Sequence, residues 1–111
     1  MSSQREDYLL RLIRQVAEAL RRLREALSAE AAPADIERDA GVAIGELLGP
    51  RHGLLSSLDP HSAASLVADP RRVSLWSDLI RVQGAARRRL GDEAGAVALE
   101  RRADALEQAV S

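Results

Sequence analysis

Residues 7–27, DYLLRLIRQVAEALRRLREAL, hold the longest unbroken helical period of the chain. Leu9, Ile13, Val16, Leu20, Leu23 and Leu27 follow one another in steps of four and three, the seam of an amphipathic helix, and Tyr8, Leu12 and Ala19 widen one side of it. Arg11, Arg14, Glu18, Arg21, Arg22 and Glu25 fall on the opposite face. Asp7–Arg11 and Glu18–Arg22 are acid-first pairs at i,i+4, each worth about 0.2–0.5 kcal/mol on a solvated helix. A helix of this length spans about 32 Å, roughly the width of a small domain, so it is expected to back all the others. The same stripe suits either an intramolecular core or the seam of a homodimer.

The chain has 111 residues, which implies one domain over residues 1–111 with a true core. That core must be built from 20 Ala and 17 Leu, because there is one Trp, one Tyr and no Phe. Thin, closely spaced packing of this kind suits helices far better than sheets. Sixteen Arg and no Lys read first as a coding bias toward GC-rich codons, which also inflates Ala and Gly. Sixteen basic against 17 acidic side chains leave the protein near neutral, so no global field steers it toward nucleic acid or an anionic membrane. Without cysteine there is no disulfide, thiolate nucleophile or thiolate metal site. The longest run free of charged side chains, residues 60–68, is far shorter than the roughly 20 a membrane helix needs. Arg5, Glu6 and Asp7 stand where a signal peptide turns apolar, so the expected location is cytoplasmic.

Beyond the first helix, Pro33 marks a turn and Asp35 is the expected N-cap of a second helix. Ile36, Ala40, Ala43, Ile44, Leu47 and Leu48 form its stripe, and Gly49-Pro50 closes it. Gly41, Gly45, Gly49 and Gly53 recur every fourth residue, which fits either a smooth ridge for a closely approaching helix or compositional bias around one C-cap. Leu54, Leu55 and Leu58 suggest one helical turn. Asp59-Pro60 and Asp69-Pro70 are each an N-cap followed by proline at the first helical position, the first opening a short helix with Leu66 and Val67. The second opens a long helix to Leu90 that carries Val73, Trp76, Leu79, Ile80, Ala86 and Leu90 inward. Gly91 ends that helix and Asp92 caps the last one, striped by Ala96, Leu99, Ala103, Leu106 and Val110. So short a link makes the two antiparallel neighbours. Their net charges, +5 over residues 70–91 (six Arg, one Asp) and −3 over residues 92–111 (two Arg, five acids), favour the pairing.

In this hairpin Gly84, Gly91, Ala96 and Ala103 fall at the small-residue spacing of a tetratricopeptide repeat, with Ile80 at its first large apolar position. The hairpin therefore resembles a degenerate unit of that type, departing at Gln83, Arg87 and Glu100, and the resemblance covers about 30 residues. The opening Asp7-Tyr8-Leu9-Leu10-Arg11-Leu12-Ile13 is similar to the start of a family of short, uncharacterised bacterial all-helical proteins that carry such hairpins. That resemblance implies a fold and no activity.

The chemistry-bearing residues point the same way. His52 and His61 are nine positions apart, with no second His at i,i+3 or i,i+4, so no metal site is expected. Ser62, His61 and Asp59 supply triad letters without a nucleophile elbow, and neither an enzyme nor a cofactor is expected. Arg71, Arg72, Arg81, Arg87, Arg88 and Arg89 form the one candidate basic patch. Without aromatic platforms they allow at most weak, sequence-independent phosphate contact. Arginines at a helix C-terminus also complement its dipole. Trp76 suits the core of the hairpin, or else the centre of an interface. The sequence thus leads to an all-α, irregular tetratricopeptide-like bundle of about five to six helices. The expected function is a non-enzymatic protein-interaction or oligomerisation module, a homodimer foremost, with Leu9, Ile13, Val16, Leu20, Leu23 and Trp76 as candidate interface. The alternative is a weak nucleic-acid binder acting through the six arginines.

Overall fold

Proline and aspartate set where the helices begin. The structure, a computed structural model, describes residues 3–111. Its elements are α1 (Ser3–Ser28), α2 (Pro33–Leu48), a 3-10 turn (Gly49–Arg51), α3 (His52–Ser57), α4 (Pro60–Val67), α5 (Pro70–Arg89) and α6 (Glu93–Val110). No strand occurs among the described residues, and the protein is an all-α bundle. Asp59 accepts from the Ser62 amide at 3.0 Å, Asp69 from Arg71 at 2.8 Å and Asp92 from Gly95 at 2.9 Å, so the three aspartate caps at α4, α5 and α6 form as expected.

Asp35 does not cap α2. The helix starts earlier, with Ala32 at the cap position and Pro33 in its first turn, which places Asp35 inside that turn. There its charge still complements the positive helix end. Gly49 ends α2 at φ 67° and Gly91 ends α5's turn at φ 86°, conformations open to glycine at little cost. Ala68 adopts φ 70° at the joint between α4 and α5, where a Cβ is strained.

The helix at the centre is α5, not α1. It packs against α6, α2, α1 and α4, whereas α1 lies chiefly on α2 and α5. Burial on several sides explains why α5 hides Val73, Trp76, Ser77, Leu79, Ile80, Val82 and Ala86, more than one stripe can hold. Leu90, expected inside, points to solvent because α5 ends at Arg89, and Leu66 does so too, since α4 buries Ala63, Ala64 and Val67. Ser77, the one buried polar residue among those described, donates to the Ala103 carbonyl of α6 at 2.9 Å. Gly84 faces α6 so closely that an added Cβ would sit 3.4 Å from the Ala96 carbonyl oxygen. The close helix approach is here. At Gly41 and Gly45 an added Cβ would meet Gln83 and His52 only at an ordinary 3.6 Å, so the four-residue glycine spacing is no ridge for a tightly seated helix.

Candidate interaction surface

The α1 seam is buried unevenly. Val16, Leu20 and Leu23 lie within the core, while Leu9 and Ile13, one to two turns earlier, are only half-buried. Tyr8 is 60% exposed, and across from α1 the α2 residue Val42 is 57% exposed. Between them runs a groove of about 830 Å³, floored by Leu12, Ala19 and Ala43. The two helices are antiparallel across it: Tyr8 and Leu12 lie near Glu46, while Arg22 lies toward Asp39. Its α1 rim carries Arg14, Glu18 and Arg22, and its α2 rim carries Asp39 and Glu46. The rims thus differ in sign. Glu18 is held by Arg21 through a side-chain hydrogen bond that keeps its carboxyl below the usual range, and Arg22 lies 3.9 Å away. The expected Glu18–Arg22 pairing is therefore secondary, and Asp7–Arg11 does not form.

Of the six candidate interface residues, Val16, Leu20, Leu23 and Trp76 are 0–7% exposed and serve the chain's own core. They leave nothing for a partner to touch. Trp76 is the core plug of the bundle, and Arg102, which periodicity did not single out, lies over its ring. Leu9 and Ile13 remain accessible in part. Tyr8, Leu12 and Val42 are the residues that complete the open surface, and Val42 was hidden because it lies off the α2 stripe.

The six arginines of the expected basic patch do not form one. Arg72 and Arg87 are fifteen residues apart on α5, about 22 Å. Arg71 pairs with Asp69 at 2.8 Å and Glu6 at 3.5 Å; Arg81 pairs with Asp104 at 2.6 Å and Glu107 at 2.9 Å. Arg87 pairs with Glu37 and Asp92, and Arg88 with Glu100 at 2.6 Å and Glu93 at 2.9 Å. Two carboxylates push the Arg88 guanidinium well above its ordinary range, and the Glu100 carboxyl is correspondingly lowered. Arg72 turns to a backbone carbonyl, and Arg89 makes no ion pair among the described residues. A nucleic-acid phosphate would have to displace these carboxylates.

The triad letters also disperse into structural tasks. Asp59 is spent on the α4 cap, and His61 and Ser62 are exposed on that helix's first turn. His52 packs over Gly45. No group of three His, Asp or Glu side chains among the described residues is placed to hold a metal ion. No helix of the described residues is long and apolar enough to cross a membrane. Comparison with protein-family models, curated proteins and solved structures finds no match.

Proposed function

We propose that this chain is a non-enzymatic interaction module that associates with a second copy of itself through the α1/α2 groove. The observation that carries the reading is the open apolar line of Tyr8, Leu12 and Val42 between rims of opposite charge. A two-fold axis running along the groove lays α1 of one copy over α2 of the other without changing level along the groove. Arg22 then meets the partner's Asp39, and Arg14 approaches the partner's Glu46, while Val42 faces the partner's α1 near Ala19. Such a patch is self-complementary, as an isologous dimer requires.

The area bounds the size of the contact. Helices of 26 and 16 residues, about 39 and 24 Å long and each about 10 Å wide, offer roughly 500–800 Å² per copy. This lies at or below the roughly 800 Å² per partner of a standard interface, in the size range of small, transient contacts. The α5–α6 hairpin, whose Gly84 backs onto Ala96 as small residues do in tetratricopeptide units, supports a scaffold of that kind. Light scattering across a hundred-fold concentration range tests the reading. Mass rising toward the dimer, and its loss in Val42→Glu, is the expected result; a constant monomer mass would overturn it.

A further inference from the structure

Beside Pro50 the groove changes character. Arg5 from α1, Arg51 from the 3-10 turn and Arg72 from α5 line a cavity of about 350 Å³ that adjoins the groove and shares Tyr8, Leu12 and Glu46 with it, with Leu9, Leu47 and Leu48 among its apolar lining. Eight of the 16 arginines are paired with carboxylates among the described residues, and none of these three is. Arg72 Nη2 donates to the Leu47 carbonyl at 2.6 Å and Arg51 Nη1 to the Leu66 carbonyl at 3.4 Å. These bonds go to neutral carbonyls, and the carboxylate that acts on Arg72, Asp69, forms no ion pair with it. Arg72 Nε is buried without a partner. Burial first, and then the nearby Arg51 charge, lower the Arg72 guanidinium below its ordinary value. Glu46 lines the same cavity and pairs with none of the three.

We propose that this cavity binds an organic carboxylate carried on an apolar body. Guanidiniums match a carboxylate with paired N–H donors, and an anion here relieves the repulsion between Arg51 and Arg72. The leucine lining takes the alkyl part. A singly charged head is favoured over a phosphate dianion, because removing two charges from water beside leucine costs more. The volume lies at the small end of ligand sites, which limits the apolar body to a short acyl chain or one large side chain. An acyl carboxylate and the C-terminal carboxylate of a peptide share this chemistry. The cavity shares Tyr8 and Leu12 with the α1/α2 groove, but its three arginines do not line that groove.

The test is a titration followed by amide chemical shifts, using octanoate against 1-octanol, and a tripeptide ending in leucine against its C-terminal amide. Shifts confined to α1, the C-terminal end of α2, the 3-10 turn and the start of α5 are expected for at least one carboxylate, binding roughly ten-fold or more tighter than its neutral counterpart. Which carboxylate binds identifies the source. The double variant Arg5→Gln/Arg51→Gln, which leaves the Arg72–Leu47 bond in place, is expected to lose roughly ten-fold in affinity with an unchanged melting temperature. Equal binding of neutral and charged probes, binding unaffected by the double variant, or no shifts at millimolar probe would overturn the proposal.

Discussion

The Arg102 guanidinium lies over the Trp76 ring, 5.4 Å from its centroid, and donates to the carbonyls of Leu55 and Leu58, each at 3.1 Å. One side chain of α6 therefore joins the core plug of α5 to the C-terminal end of α3, sharing the Leu55 carbonyl with the Leu58 amide and taking up the Leu58 carbonyl beyond the helix. Arg72 does the same for the Leu47 carbonyl at the end of α2. Without lysine, these tasks fall to the planar donor fork of arginine.

Removing that tie is costly. Arg102→Ala deletes two half-buried hydrogen bonds and a cation–π contact, and is expected to destabilise the fold by about 2 kcal/mol in urea unfolding. Arg102→Lys, with its charge kept and its two-pronged geometry lost, falls between. A loss below about 0.5 kcal/mol for the alanine variant would show that the contact carries little of the packing.

Gly41 answers the question of the glycine spacing. It sits inside α2, and an added Cβ would meet Gln83 Nε2 at 3.6 Å, an ordinary contact. Gly41→Ala should therefore stabilise the protein by about 0.5–1 kcal/mol, the helix-propensity gain, read as a higher denaturation midpoint with unchanged slope. Destabilisation would mean that α2 and α5 need the bare backbone there.

Stability should fall on acidification. The Arg71 side chain, together with the backbone amides at the start of α5, holds the Asp69 carboxyl below its ordinary value of 3.8. Because the folded value lies below the unfolded one, the unfolded chain takes up more protons through this window. The contribution is present above about pH 4 and is lost as pH drops through the lowered value. Asp69→Asn keeps an N-cap oxygen and removes the titration, so its midpoint should fall less steeply as the pH drops below about 4. Parallel profiles for both proteins would contradict this.

The helices and their punctuation were legible in the sequence because proline fixes its own φ and aspartate supplies a cap oxygen, both local effects. Pro60 and Pro70 with Asp59 and Asp69 are read from two adjacent letters. The centrality of α5 was not legible, since a stripe records that a face is buried but not how many neighbours bury it. Ser77 and Val82 gave no signal against that stripe, and both are inside. The arginine run 87–89 looked like a patch because sequence shows the cations on α5 without showing Glu37 of α2 or Glu93 and Glu100 of α6 folding against them. The open surface was half legible: Leu9 and Ile13 belong to the named seam and Tyr8 to its widened side, while Val42 joins it only once α2 is laid beside α1.

Self-association through the α1/α2 groove is tested most directly by a charge-reversal cycle read by sedimentation equilibrium. Arg22 and Asp39 stand on opposite rims of the groove and form no ion pair with each other within one chain. In the proposed dimer they would meet twice, once on each side of the two-fold. Arg22→Glu and Asp39→Arg should each weaken the dimer by roughly ten-fold or more, since each places like charges together at both contacts. The double variant, which restores opposite charges with the signs exchanged, should recover most of the original affinity. A wild-type chain that stays monomeric, or four proteins with one dissociation constant, would contradict the account.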